Sequence, residues 1–290
     1  MIDRLYRKVF EESFKKKLEI VILYVSIAGF LINLFLIGLN HLDLLPFDDH
    51  DSSLLNDPIA AIYTPFSFIL IFEVYLLIYY IPKSFTVSVA KQYEVISIIL
   101  IRKIFKDISN IEVTNQWFEY DSNLMLTVDM AAILLMFLLI NNFYKTSRSI
   151  EKREEFVDKQ SFIRFKERAS VFLFIIFTAL SVYNLADWGY NTYGYAMGTV
   201  DQIMDIDKLF YDDFFTVLVL FDVLILVVSF KYTESYNLLI RNSGFVITTV
   251  IIRISLHDTN IINTALLLTS ILFGWLIIRI YSSYTISHRL

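Results

Sequence analysis

The chain has 290 residues, of which 56% are apolar and only 19% charged, with a formal net charge of −5 and a mean hydropathy of +0.57. An average soluble domain is roughly 45–50% apolar and about 25% charged, so this composition argues against a soluble enzyme. The absence of cysteine removes disulfides, thiolate metal sites, iron-sulfur clusters and cysteine nucleophiles together.

With 26 Phe and 18 Tyr against 7 Gly and 4 Pro, the apolar residues fall in long helix-compatible runs. They lack the ten-residue alternation and frequent turns of an outer-membrane barrel. The expected fold class is therefore all-α, a polytopic helical membrane protein. Residues 1–17 (MIDRLYRKVFEESFKKK) are too charged for the apolar region of a signal peptide and are expected to stay in the mature chain. Crossing roughly 30 Å of hydrocarbon takes about 20 apolar residues. Runs of that kind cover 18–40, 62–82, 122–144, 169–187, 213–230 and 263–282. Two shorter stretches, 93–106 and 243–257, carry Arg102, Lys103 and Arg253, and each reads as a short crossing helix or an amphipathic surface helix.

Charge bias favours the first option. If both cross and the N-terminus is cytoplasmic, the inner segments hold 19 Lys and Arg, whereas the outer ones hold Lys208 alone against 14 Asp and Glu. If 93–106 lay flat, Lys145, Arg148, Lys152 and Arg153 would face outward, against the rule. The sequence thus predicts about eight spans with both termini cytoplasmic, in an inner or plasma membrane. Six spans plus amphipathic surface helices is the alternative.

The stretch 145–168 is mixed in charge and free of Pro and Gly, as expected of a cytoplasmic helical linker that could also dock a partner or anionic lipid. It divides the chain into 1–144 and 169–290. At an offset of 151, Phe14-Lys15-Lys16-Lys17 falls on Phe165-Lys166-Glu167-Arg168, Asn33-Leu34 on Asn184-Leu185, and Ile101-Arg102 on Ile252-Arg253. Near the same offset, Phe72-Glu73-Val74 falls on Phe221-Asp222-Val223. The two segments read as parallel four-helix repeats, each starting inside.

Charges within the apolar runs are the candidate functional residues, because an ionised group near the bilayer centre costs at least about 2.5–3.5 kcal/mol and normally seeks a partner in the bundle interior. Glu73 and Asp222 lie at equivalent repeat positions, roughly 14–16 Å deep, with Asp129 about 10 Å and Arg102 and Arg253 about 7–8 Å deep. Those depths predict pairs of Glu73 with Arg102, Asp129 with Arg102 or Lys103, and Asp222 with Arg253. An aromatic followed by an acid on the second helix of a four-helix module resembles the voltage-sensor family, through Phe72-Glu73 and Phe221-Asp222. That family's ladder of basic residues on the fourth helix has no counterpart in 122–144 or 263–282, and the resemblance goes no further.

Small polar residues recur within the spans, among them Ser97, Thr127, Thr248, Thr249 and Ser270, and fit hydrogen bonds to backbone or to neighbouring helices. The histidines His41, His50, His257 and His288 form no ligand motif, and no nucleophile elbow or phosphate loop is present, so neither a cofactor, a metal nor an enzymatic activity is expected. The function expected is movement of ions or protons, as a channel or transporter, along a path containing Glu73, Asp129, Asp222, Arg102 and Arg253. The alternative is a non-catalytic membrane scaffold or subunit that docks a cytoplasmic protein. The expected partners are the lipid bilayer, the ion or proton, and a second copy or a cytoplasmic protein, with no nucleic acid.

Overall fold

The computed structural model describes residues 2–42, 63–108, 111, 117–148, 159–196, 206–233, 235–256 and 260–287. Within them the protein is all-helical, with no strand. In chain order the helices are α1 (Ile2–Val9), α2 (Glu12–His41), α3 (Tyr63–Tyr79), α4 (Phe85–Ile108), α5 (Asp121–Arg148), α6 (Lys159–Ala196), α7 (Ile206–Tyr232), α8 (Tyr236–Ser255) and α9 (Ile261–Ser287). A 3-10 turn, Trp117–Glu119, precedes α5.

Five of these, α2, α5, α7, α8 and α9, are long and apolar enough to cross a membrane, and α3 contributes a shorter apolar stretch, Phe68–Tyr79. The distribution of residues around the bundle identifies the solvent. On α5 the buried stripe runs Asn123, Leu126, Asp129, Ala132, Met136, Ile140, Phe143 and Ser147, while Leu134 is 68% exposed and Asp129 0%. Polar groups point inward and leucines outward, the reverse of a water-soluble bundle and the pattern expected where hydrocarbon is outside. The protein is a multi-pass membrane protein.

Two helices start earlier than the apolar runs imply. The run at 93–106 is the second part of α4, which begins at Phe85 because Pro82 cannot continue α3 and the Ser84 hydroxyl accepts from the Val87 amide at 3.3 Å, capping the new helix. Residues 243–255 of the other run likewise belong to α8, which starts at Tyr236. In both cases polar residues that suggested a loop lie inside the helix, with Gln92 and Arg241 buried at 5% and 1% exposure. Gln92 accepts from Arg253 and the Arg241 guanidinium lies 4.7 Å from the Tyr281 ring centre, and these contacts replace water. At the start of α9 the Asn260 side chain caps the Asn263 amide at 2.8 Å.

Consecutive helices pack as antiparallel neighbours: α2 on α3, α3 on α4 and α4 on α5, then α6 on α7, α7 on α8 and α8 on α9. The two groups meet through α4 against α8 and α5 against α9, with α3 also touching α6. One apolar core runs through the bundle, with Ile78, Tyr93, Met136, Phe143, Leu173, Leu218, Phe245 and Ile271 all essentially buried. Tyr93 of α4 donates to the Thr248 hydroxyl of α8 at 3.1 Å and lies over Gly274 of α9, where any Cβ would overlap its hydroxyl. Ser270 of α9 donates to the Thr248 carbonyl at 2.7 Å, closing a three-helix junction.

The turn 80–84 lies at the same end of the bundle as α1, the end of α5 near Arg148 and the start of α6. This is the basic end. There the Tyr75 hydroxyl donates to the Val9 carbonyl at 2.7 Å, and Lys15 donates to the Tyr80 hydroxyl at 3.1 Å.

Candidate functional site

The charged residues inside the bundle are arranged in three clusters. In the first, Glu73 of α3 faces Arg102 of α4 at 4.0 Å, with side-chain exposures of 2% and 5%. The pair is loose. Neither Glu73 oxygen accepts a hydrogen bond, and Arg102 also donates to the Phe66 carbonyl at 3.4 Å.

The second cluster is tighter. Lys103, one residue and about 100° further around α4, turns away from Glu73 and places its ammonium 2.6 Å from Asp129 Oδ2 on α5. The other oxygen, Asp129 Oδ1, accepts from the Thr264 hydroxyl of α9 at 2.8 Å. Of the two bases open to Asp129 on sequence grounds, the helix phase thus selects Lys103 and leaves Arg102 to Glu73.

The third cluster joins the two groups of helices. Arg253 of α8 stands 2.7 Å from Asp222 Oδ2 on α7 and donates through its other terminal nitrogen to Gln92 Oε1 on α4 at 3.1 Å. The contact with Asp222 is out of line for a hydrogen bond, so it is ionic. The Thr249 hydroxyl lies 3.1 Å from Asp222 Oδ2 and 2.9 Å from the Val246 carbonyl. With a single proton, it donates to one of them at a time.

A cleft leads from the basic end to this third cluster. It is lined near the turn by Ile81, Lys83, Phe85 and Ser88, on the α6 side by Lys166, and deeper by Gln92, Asp222 and Thr249. The volume within it that the centre of a water molecule can occupy is ≈ 20 Å³. Asp222 is the acid at its base, and its carboxylate retains some exposure, 10%, where that of Asp129 has none.

All five residues expected from the sequence, Glu73, Asp129, Asp222, Arg102 and Arg253, are thus buried in charge clusters, but they form no single chain. Gln92, Thr264 and Lys166 were not singled out by sequence reasoning. Gln92 lay in an apparent loop, and nothing in the residues around Thr264 indicates which helix it will face. Lys166 fell in the linker. Its only sequence signal was the alignment of Lys15-Lys16-Lys17 with Lys166-Glu167-Arg168. Among the described residues no group of three or more His, Asp or Glu is placed to hold a metal ion. His50, His257 and His288 lie outside the described residues, as do 149–158 of the linker. No known family model, no curated protein and no solved structure matches the chain.

Proposed function

We propose that the protein moves protons across a membrane through the cluster at Asp222. The observation that carries this reading is the cleft whose lining joins Lys83 and Lys166 of the basic end to a membrane-embedded carboxylate, Asp222. A proton passes along waters and side chains and needs no open pore.

In this account Asp222 takes a proton from water that enters the cleft. Its pair with Arg253 then weakens, and Gln92 keeps the guanidinium in place at 3.1 Å. Thr249 adjusts by turning its hydroxyl from Asp222 to the Val246 carbonyl. A charge is therefore never left without a partner while the acid changes state, which a buried site requires.

The same reading takes the chain as eight spans in two parallel four-helix repeats, 1–144 and 169–290, joined by a cytoplasmic linker at 145–168. What supports it is the order of packing, sequential within each group and then third helix on third (α4 on α8) and fourth on fourth (α5 on α9). The basic end is cytoplasmic in this arrangement, because the Lys and Arg excess lies there. The repeats have diverged. The acid of the second half opens on the cleft, and Glu73 of the first is 1% exposed beside a distant Arg102.

The rival reading, a non-catalytic subunit that docks a cytoplasmic partner, draws on the Lys103–Asp129–Thr264 cluster, which is closed and serves to lock α4, α5 and α9 together. Proton flux into liposomes containing the purified protein, compared with Asp222→Asn, separates the two. Flux that depends on Asp222 supports transport, and no flux from folded protein supports the subunit.

A further inference from the structure

Helix α1 is only eight residues long, too short to keep its shape in water unaided. The bundle holds it. The Tyr75 hydroxyl of α3 donates to the carbonyl of its last residue, Val9, at 2.7 Å. Phe10, the next residue, stacks on Tyr79 of α3 with ring centres 6.2 Å apart and packs edge-on with Phe174 of α6 at 6.4 Å. Val9 is buried in this cluster and Leu5 packs against it.

The other side of α1 is cationic. At about 100° per residue Arg4, Arg7 and Lys8 share one arc, opposite Leu5, Tyr6 and Val9, and all three are exposed. Among the described residues none of the three pairs with an acid, and Arg7 reaches only the Asp3 carbonyl of its own helix, at 3.5 Å. The topology rule counts charges and is met equally by a loose basic tail, so it does not account for cations aligned on a docked helix.

We infer that the outer face of α1 is a docking surface for anionic phospholipid headgroups, with Arg4, Arg7 and Lys8 as its contacts to phosphate. Its position fits that occupant. α1 packs on α2 and α6, whose apolar runs begin at residues 18 and 169, so it stands where hydrocarbon gives way to headgroups. Guanidinium groups match phosphate with paired hydrogen bonds, and basic residues beside a crossing helix are drawn to anionic lipid. The acids nearby do not cancel the arc. Asp3 flanks it, Glu167 of α6 lies on the Tyr6 side, and Glu11 and Glu12 beyond it are offset by the exposed Lys16 and Lys17 of α2. The inference needs only the membrane, and holds whether or not the protein transports anything.

The absence of native cysteine provides the test. Ile2, on the apolar arc of α1, is 48% exposed, and Ile2→Cys carries a fluorophore there. The full-length protein is reconstituted in phosphatidylcholine vesicles containing a small fraction of either phosphatidylglycerol or phosphatidylcholine with a quenching nitroxide near the glycerol. Each Lys or Arg close to an anionic surface contributes a preference of about fivefold, so phosphatidylglycerol should be favoured at least tenfold at Ile2→Cys. At Glu119→Cys, on the opposite end of the bundle, the two lipids should quench alike.

Arg4→Gln/Arg7→Gln/Lys8→Gln changes exposed positions only and should reduce the preference at Ile2→Cys to that at Glu119→Cys. Tyr6→Pro breaks the helix with every cation retained and should lose most of the preference. Equal quenching by the two lipids at Ile2→Cys, or a preference unmoved by the triple variant, would overturn the inference and leave the cations to an acidic protein partner. A preference that survives Tyr6→Pro would overturn it too, because charge count without the docked helix would then suffice. A preference abolished by inorganic phosphate at constant ionic strength would assign the face to soluble anions instead. The triple variant decides the matter alone if Tyr6→Pro does not fold.

Discussion

Arg253 bridges Asp222 and Gln92, 2.7 Å from one and 3.1 Å from the other, and so ties α8 to α7 and to α4 with a single side chain. Removing one member of a buried pair strands the other, which typically costs about 3–5 kcal/mol. Arg253→Met should lower the unfolding free energy in detergent by that order, Asp222→Asn by less because the asparagine still accepts from Thr249, and the double variant by less than the sum. A strictly additive double-mutant cycle would mean that the two side chains do not interact.

Tyr93 and Gly274 make a second relationship that mutation can read. A methyl at 274 overlaps the Tyr93 hydroxyl, whereas the next atom of the ring lies 3.1 Å away. Gly274→Ala should therefore destabilise the protein by about 1–3 kcal/mol, in the range of other overpacked cores. Tyr93→Phe removes the obstructing oxygen and should recover much of that loss in combination, although alone it forfeits the hydrogen bond to Thr248. A combined variant no more stable than Gly274→Ala would show that the two side chains do not meet.

The Thr264 hydroxyl donates to Asp129 Oδ1 at 2.8 Å, and Asp129 is 0% exposed. Thr264→Val keeps the shape and removes the donor. Hydrogen bonds to charged groups contribute about 1.5–3 kcal/mol, and thermal unfolding should shift by that order. Because this cluster is assigned to holding helices together, the variant that folds should keep its proton flux. Loss of flux at normal fold would place Asp129 in the path.

The parts of this arrangement that were legible in the sequence are those that carry charge in an apolar setting. Glu73, Asp129, Asp222, Arg102 and Arg253 announce themselves because hydrocarbon penalises them, and the 3.6-residue period restricts which opposite charge each can reach. Gln92 and Thr264 carry no such penalty, and their roles depend on contacts between α4 and α8 and between α5 and α9 that no local pattern encodes. The start of α4 was hidden for another reason. Lys91 and Gln92 read as loop by polarity, but Ser84 caps the helix, and Tyr144 donates to Glu94 at 2.5 Å while Lys91 pairs with the same acid at 2.7 Å.

The topology is open to direct test at described, exposed positions. In the eight-span arrangement an impermeant thiol reagent applied from outside should label Glu119→Cys, in the turn before α5, and spare Ser235→Cys, between α7 and α8. With 93–106 and 243–257 lying flat, the two results exchange.

Proton uptake into liposomes carrying the purified protein, driven by a pH gradient or by voltage, tests the central claim most directly, with Asp222→Asn and the Glu73→Gln/Asp222→Asn double variant alongside. The account predicts uptake that Asp222→Asn reduces at least tenfold and that the double variant reduces little further, since the cleft reaches Asp222. Uptake that is absent, or present and equal in protein carrying Asp222→Asn, would contradict it.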